Sequence, residues 1–115
     1  MKILVVDDEI AIVELLTDIL SDEGYDVVSA HDGKSALTLL RTGLRPAIVI
    51  TDLMMPNLDG MGLYRALRSE LNAQQIGVIM VSAGNSKVEL DDPRAVFVPK
   101  PFSIDQLLTI IERLA

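Results

Sequence analysis

Four short apolar runs in this sequence each end in a polar residue that could do chemistry. The first run leads into Asp7 and Asp8, the second into Asp52, the third into Ser82 and the fourth into Lys100. Such runs are typical of buried strands, and ligands of open α/β sheets bind outside the carboxyl ends of the strands. If the four runs are neighbouring parallel strands, three carboxylates, a hydroxyl and an ammonium group meet at one rim of one sheet.

The three carboxylates carry the largest electrostatic cost in this set. Two unit charges about 4 Å apart repel by roughly 4 kcal/mol at an effective dielectric constant of about 20. Asp7, Asp8 and Asp52 therefore need a cation or a shifted proton at that rim. Hard carboxylate oxygens in a small cluster suit Mg²⁺, whereas zinc is a poor candidate because the chain has one histidine and no cysteine.

Most of these polar residues also have a simpler structural explanation. Asp7 and Asp8 could cap a helix, because aspartate is favoured at N-cap and first-turn positions. Ser82 could cap whatever follows it, and Lys100 could be a solvated loop lysine. Asp52 is harder to explain in this way, since the residues after it do not begin a helix. Taken together, a carboxylate nucleophile, a divalent-cation site, a hydroxyl donor and a cation indicate phosphoryl transfer.

Composition limits the class of protein. The chain has 115 residues, of which 50% are hydrophobic, so it is long enough for one domain with a single core. No apolar stretch approaches the roughly 18 residues of a membrane span, and no secretory signal is expected. The absence of cysteine fits a reducing compartment, so we expect a cytoplasmic protein. A net charge of −7 and an aromatic content of 3% disfavour direct nucleic-acid binding.

The elements that must position the polar residues alternate between strand and helix. Strands are predicted at residues 3–6, 25–29, 47–51, 76–81 and 96–99. Gly24 and Gly43 are placed to end the first two helices, the third helix spans roughly residues 61–72, and the last starts at Ser103 with a capping-box spacing. The apolar stripe of the first helix comprises Ile10, Ile12, Val13, Leu15, Leu16, Ile19 and Leu20. This βα order predicts a parallel sheet with helices on both faces, joined by right-handed crossovers.

The segment between Ser82 and Ala95 breaks this rhythm. It holds only two bulky apolar residues, Val88 and Leu90, among several turn-forming ones. A full crossover helix is therefore not expected there, and a single helical turn or a loop is predicted instead.

The chain resembles the receiver domain of two-component response regulators, the phosphoacceptor module of the bacterial chemotaxis regulator. Four motifs carry the resemblance: residues 5–9, residues 52–56 with Asp59-Gly60, residues 81–83 and residues 100–102. The resemblance covers essentially the whole chain as a single domain, residues 1–115. It implies a flavodoxin-like, doubly wound sheet of five parallel strands in the order 2-1-3-4-5, with the fourth crossover helix short or missing.

The resemblance implies a phosphorylation site at Asp52 and a magnesium site around it. Asp8 and Asp52 would bind Mg²⁺ directly, together with the backbone carbonyl of Met54, and Asp7 would act largely through water. The phosphoryl donor would be a histidine on a sensor kinase or phosphotransfer protein. The phosphorylated domain would switch a surface for a downstream effector domain or protein.

The resemblance also implies how the phosphoryl group is held and sensed. Lys100 would pair with the phosphoryl oxygens, Ser82 would donate its hydroxyl, and Ala83 would leave the site accessible and offer its backbone N–H. The Lys100–Pro101 peptide would be cis. Phe97 stands at the position of the family's switch aromatic and would turn inward as Ser82 moves, although it could also be plain core packing on the fifth strand.

Three functions compete for this set of residues. The first is a phosphoacceptor signalling domain that catalyses only its own phosphorylation and dephosphorylation. The second is a haloacid-dehalogenase-type phosphatase, which wants a second acid where Met54 stands. The third is an unphosphorylated pseudo-receiver, against which the intact acids, Ser82 and Lys100 argue. His31 is interpreted as a surface residue, and a stand-alone domain and a piece of a longer regulator both stay open.

Overall fold

Strands and helices alternate along the chain in this computed structural model, which describes residues 1–83 and 89–115. The strands are β1 Lys2–Val6, β2 Asp26–Ala30, β3 Ile48–Asp52, β4 Gly77–Ser82 and β5 Ala95–Pro99. The helices are α1 Ile10–Asp22, α2 Gly33–Arg41, α3 Gly60–Arg65 and α4 Ile104–Leu114. All four strand pairings are parallel, and the order β2-β1-β3-β4-β5 confirms the predicted flavodoxin-like sheet.

The sheet separates the hydrophobic clusters of its two faces. Because side chains alternate along a strand, Leu4 and Val6 of β1 pack with α2 and α3, whereas Ile3 and Val5 pack with α1 and α4. Helices on both faces explain why the central strands are almost continuously apolar. Their polar residues can therefore lie only at the strand ends, where the sheet meets solvent.

The register of the central strands places the polar residues at a common edge. β3 and β4 each end one residue later than the sequence predicts, so they include Asp52 and Ser82. Asp52 lies opposite Val81, and Ser82 lies opposite Pro99. The two polar residues are therefore held by the backbone ladder itself and not by a loose loop.

The apolar stripe of α1 is wider than the part of it that is buried. Val13, Leu16 and Leu20 of the predicted stripe are buried, but Ile10 and Leu15 are 59% and 53% exposed. A helix lying on a sheet buries only one side, so the predicted apolar stripe includes these two residues outside the buried side of α1. Despite this apolar surface, no helix in the described part of the chain is long and apolar enough to cross a membrane.

The third helix differs from the single α-helix predicted at residues 61–72. α3 ends at Arg65 and continues as a π-helical turn over Ala66–Glu70, in which the N–H of Leu71 donates to the carbonyl of Ala66 at 3.0 Å. Leu63 and Leu67 are buried. Leu63, Leu67 and Leu71 keep a helical spacing of four residues across the π turn, so the spacing of apolar residues did not reveal it.

The segment between β4 and β5 is only partly described. Gly84 to Val88 lie outside the described residues. The predicted helical turn or loop therefore falls partly outside them, as does Val88. Glu89 to Asp92 form neither helix nor strand, and Leu90 packs against the cluster on the α2 and α3 face. For these described residues the expected loop is confirmed.

Gly24 ends α1 in the left-handed conformation that its position predicts, with φ of +91°. Its N–H donates to Ser21 and the N–H of Tyr25 donates to Leu20, which closes a Schellman motif. A Cβ at residue 24 would meet nothing within 4 Å, so Gly24→Ala is expected to lower the free energy of unfolding only through backbone strain.

We expect that loss to be about 1 kcal/mol, measured as a shift of the urea unfolding midpoint. Gly43→Ala is the matched comparison, since Gly43 ends α2 at φ of +115° in equally open space. An unchanged midpoint in both variants would show that these caps do not limit stability.

Candidate functional site

β1 delivers Asp7 and Asp8 to the carboxyl edge of the sheet. Asp7 is 4% exposed, and its carboxylate accepts a hydrogen bond from the N–H of Glu9 at 2.9 Å. The N–H of Asp7 donates to the carbonyl of Ala30 at 3.2 Å, which ties this residue to β2. The N-cap of α1 is Glu9, so the alternative that Asp7 or Asp8 occupies that position is wrong.

Asp52 ends β3 and is followed by a loop, as the sequence predicts. The N–H of Leu53 donates to the carbonyl of Val81 at 2.8 Å, so the backbone remains bound to β4 just beyond the acid. α3 begins only at Gly60, and its N-cap is Asp59, whose carboxylate accepts from the N–H of Gly62 at 2.8 Å. The carboxylate of Asp52 is therefore not used as a helix cap.

The acids predicted at this rim lie together. Carboxylate oxygens of Asp7, Asp8 and Asp52 are all within 4.8 Å of one another. Nζ of Lys100 lies 3.8 Å from Oδ2 of Asp7 and 3.7 Å from Oδ1 of Asp52. Lys100 is the cation that the described residues place beside these acids, so the fully ionised group carries three negative charges against one positive charge.

Burial raises the pKa of both Asp7 and Asp52. The ammonium group of Lys100 lowers both pKa values, but the neighbouring carboxylates raise them again, Asp52 acting on Asp7 and Asp8 acting on Asp52. A cluster whose own members disfavour the ionised form is one that a divalent cation would stabilise. The donor atoms are all carboxylate oxygens and Asp8 is exposed, which fits a hard ion that keeps part of its water shell.

β4 and β5 bring the remaining polar residues to the same edge. Ser82 is buried at the end of β4, where its hydroxyl lies 3.4 Å from the carbonyl oxygen of Ala83, and Ala83 itself is exposed. The N–H of Lys100 donates to the carbonyl of Ser82 at 2.7 Å, which fixes Lys100 next to β4. The Lys100–Pro101 peptide is cis, as the resemblance implies. Met54 lies in the loop after Asp52 with an exposed side chain.

Two further residues singled out by the sequence, Phe97 and His31, are not members of the acid cluster. Phe97 is half-buried on β5, opposite Met80, so its switch role stays a prediction beside the alternative of core packing. His31 is exposed directly after β2, which confirms its interpretation as a surface residue.

Sequence reasoning missed an apolar groove beside Lys100. Its volume is about 420 Å³. One wall belongs to α1 and the other to the segment that links β5 to α4. The lining residues are Ile12, Leu15, Leu16, Ala83, Lys100, Pro101, Phe102 and Ile104. The surplus of apolar residues on α1 was the signal that could have predicted it, because those side chains are too many for one buried stripe.

Residues 3–112 match the sequence model of the family described as the response regulator receiver domain. The chain belongs to this family. Response regulator MprA of Mycobacterium avium (strain 104) is 39% identical over 118 residues, which are 99% of this chain and 50% of that protein. This receiver domain thus spans about half the length of the curated relatives it matches.

Solved structures confirm the receiver fold. Response regulator TrrA from Thermotoga maritima, in complex with Mg²⁺ and BeF, is 32% identical with a TM-score of 0.86, and the match covers 99% of this chain and 98% of that one. The receiver domain of the Francisella response regulator 1452 is 34% identical with a TM-score of 0.83, covering 98% and 94%. The chemotaxis protein CheY4 of Vibrio cholerae is 28% identical with a TM-score of 0.85, covering 99% and 98%. The family predicted from four short motifs is therefore confirmed.

Proposed function

We propose that this receiver domain accepts a phosphoryl group on Asp52 in a Mg²⁺-dependent reaction. The donor is a phosphohistidine on a sensor histidine kinase or phosphotransfer protein, and the product switches a surface for a downstream effector domain or protein. The observation that supports this most is the cluster of Asp7, Asp8 and Asp52 with Lys100, at the carboxyl ends of β1, β3 and β5. A cytoplasmic location, and no catalysis beyond the domain's own phosphorylation and dephosphorylation, belong to the same proposal.

The chemistry follows from groups that the fold holds in fixed places. A carboxylate oxygen of Asp52 attacks phosphorus in line, the new O–P bond forms as the P–N bond to the donor imidazole breaks, and that imidazole leaves with its electron pair. Lys100 offsets charge on the phosphoryl oxygens. Because Asp52 ends a strand of the ladder, little orientational freedom remains to be lost on the way to the transition state.

The remaining ligands have stated places in this proposal. Mg²⁺ would be held by Asp8, Asp52 and the carbonyl of Met54, with Asp7 acting through water, and when bound it supplies charge neutralisation for the transferring group. The hydroxyl of Ser82 and the backbone N–H of Ala83 would each donate to a phosphoryl oxygen. The complex of Thermotoga maritima TrrA with Mg²⁺ and BeF supports such a site by analogy.

The apolar groove supports a protein as the physiological donor. Lys100 and Ala83 belong both to the site and to the lining of the groove, so a partner whose histidine reaches Asp52 lies over the groove. Leu15 adds exposed apolar surface to the same side of α1. A small phosphodonor does not need this surface, which makes it suitable for testing the chemistry without a kinase.

The test is incubation with Mg²⁺ and acetyl phosphate followed by intact mass measurement. The wild-type chain is expected to gain a single phosphoryl group, and Asp52→Asn none. Asp59→Asn is the matched control, because this acid lies in the same loop but caps α3, a role that asparagine also fills, and it should be phosphorylated normally. A wild-type chain without an adduct would overturn the proposal, and rapid hydrolysis of unrelated phosphomonoesters without an adduct would favour the phosphatase.

A further inference from the structure

The loop after Asp52, residues 53–59, is held at its two ends by close backbone contacts. At the near end, the N–H of Gly60 donates to the carbonyl of Leu53 at 2.9 Å. A Cβ on Gly60 would lie 2.6 Å from the carbonyl oxygen of Asp52 and 2.9 Å from Cα of Leu53. The first residue of α3 therefore packs directly on the backbone of the proposed phosphoryl acceptor.

The far end of this loop packs on a different helix. A Cβ on Gly33, the first residue of α2, would overlap the carbonyl oxygen of Leu58 and lie 3.0 Å from its Cβ. The backbone of Gly33 lies outside the left-handed region, so the small residue is needed here for space and not for conformation. α2 thus reaches the site through Leu58, although the resemblance assigns α2 no role.

α2 has little freedom to move away from this contact. Its first turn is fixed because the carboxylate of Asp32 accepts from the N–H of Ser35 at 2.6 Å. The buried side chains of Ala36, Leu37 and Leu40 anchor the helix to the sheet. A larger residue at position 33 must therefore displace the loop and not the helix.

Displacement at Leu58 is transmitted along the loop because the loop is short and internally bonded. The N–H of Leu58 donates to the carbonyl of Pro56 at 2.9 Å, and Asn57 adopts φ of +70°. At the other end, Leu53 is bonded to both β4 and Gly60. Met54, whose carbonyl is the expected metal ligand, lies between these two fixed ends.

We propose that Gly33 is a positioning residue for this site: its missing side chain lets the 53–59 loop hold the Met54 carbonyl in place for Mg²⁺. This proposal rests on the proposed function, since it needs the metal site at Asp52. Groups that orient metal ligands without touching the metal typically change its affinity by about 10- to 100-fold when altered. Gly33 acts in this sense from a helix that contributes no ligand.

The test compares three glycine-to-alanine variants of the metal-free protein. Gly33→Ala presses on the backbone of Leu58, and Gly60→Ala presses on the backbone of Asp52 from the other end of the loop. Gly62→Ala is the matched control, because its Cβ would press on the flexible tip of the Leu58 side chain at 2.5 Å and otherwise lie at 3.4 Å from side-chain atoms of Leu58 and Asp59, not on the backbone. Mg²⁺ affinity is measured by calorimetry, and backbone amide NMR signals report the loop in the absence of metal.

We expect Gly33→Ala to weaken Mg²⁺ binding about tenfold and to shift the amide signals of residues 53–59 other than Pro56, which has no N–H. Gly62→Ala should bind Mg²⁺ within about twofold of wild type. Thermal unfolding identifies which variants are folded. A folded Gly33→Ala with wild-type Mg²⁺ affinity would overturn the proposal, and so would unshifted loop signals in both Gly33→Ala and Gly60→Ala. Failure of the proposed function is distinguishable, because wild type would then bind Mg²⁺ yet gain no phosphoryl group from acetyl phosphate.

Discussion

Asp52→Asn is expected to stabilise the metal-free protein by about 1 kcal/mol at neutral pH, the order of free energy that goes with desolvating an incompletely paired polar group. The reason is that the buried Asp7 and the half-buried Asp52 lie beside each other and beside Asp8, while a single nearby ammonium, that of Lys100, faces them in the described structure. Asparagine keeps the shape and removes one negative charge. Asp52, the acceptor in the proposed reaction, is thus expected to lower the stability of the metal-free protein.

The pH dependence of stability has a definite sign. The pKa values of Asp7 and Asp52 are raised in the folded protein, so the folded state binds protons more tightly than the unfolded chain. The stability that these two groups contribute is present below the ordinary carboxyl pKa and is lost as the pH rises through the folded pKa. The contribution of Asp7 and Asp52 to the free energy of unfolding should therefore increase when metal-free protein is taken from about pH 7 to about pH 5. The increase should be smaller in Asp52→Asn, which lacks one of the two groups.

Urea unfolding in EDTA at the two pH values measures this difference, and repeating it in Mg²⁺ measures the second half of the prediction. Mg²⁺ should stabilise the wild-type chain, because a ligand bound only by the folded state shifts the equilibrium towards it, and should stabilise Asp52→Asn much less. Asp59→Asn serves as the control, since it removes a negative charge from an exposed residue outside the cluster. If Asp52→Asn is less stable than wild type in EDTA, charge repulsion within the cluster does not destabilise the metal-free fold.

The sequence predicted the rim of the sheet because the information is local. The end of a continuous apolar run marks the end of each buried strand, and a parallel sheet then places those ends at one edge. Asp52, Ser82 and Lys100 needed no more than this to be brought together. The assignment of separate roles came from the resemblance, since charge and spacing alone specify a site for a metal and a phosphate but not which acid is the acceptor.

The features that could not be predicted depend on contacts between residues far apart in the sequence. Nothing near Gly33 in the sequence indicates that Leu58 lies against it. The surplus of apolar residues on α1 indicates an exposed apolar surface, but not that Lys100 and Pro101 line the same groove. The π turn after α3 has the same composition as an α-helix. It carries Arg68, whose guanidinium donates to Ala73 at 2.7 Å and to Asp92 at 2.7 Å, and Asp92 is 24 residues away in the chain.

Asp92→Ala is expected to change stability more than Asp52→Asn does, with a loss of about 2–3 kcal/mol in the free energy of unfolding. The loss of a fully buried ion pair would cost more, but the pair of Asp92 with Arg68 is partly exposed. One oxygen of Asp92 accepts from Nε of Arg68 and, at 2.8 Å, from the hydroxyl of Tyr64, and the other accepts from the N–H of Arg94 at 2.8 Å. The side chains of Arg68 and Asp92 are only 9% and 15% exposed. Removing the carboxylate leaves the largely buried guanidinium of Arg68 with its backbone acceptors but without the negative charge that pairs with it.

The network matters because of what it holds in place. Asp92 lies near the end of the connection between β4 and β5, where a crossover helix would otherwise stand. Its carbonyl accepts from the N–H of Ala95, the first residue of β5. Arg68 lies over the ring of Tyr64 at 5.3 Å from its centre, which adds a cation–π contact. A polar cluster thus fixes the chain just before the strand that leads to Lys100, where the sequence offers few apolar residues to do so.

Burial alone would raise the pKa of Asp92, but the hydrogen bonds from Arg68, Arg94 and Tyr64 outweigh it and lower that pKa. Its stability contribution is therefore present above the ordinary carboxyl pKa and is lost as the pH falls, the opposite of the acids at the rim. Urea unfolding should show the deficit of Asp92→Ala shrinking towards acid pH, with exposed Asp91→Ala within about 0.5 kcal/mol of wild type at each pH. Equal losses in the two variants would mean that the segment is held by its backbone and not by this ion pair.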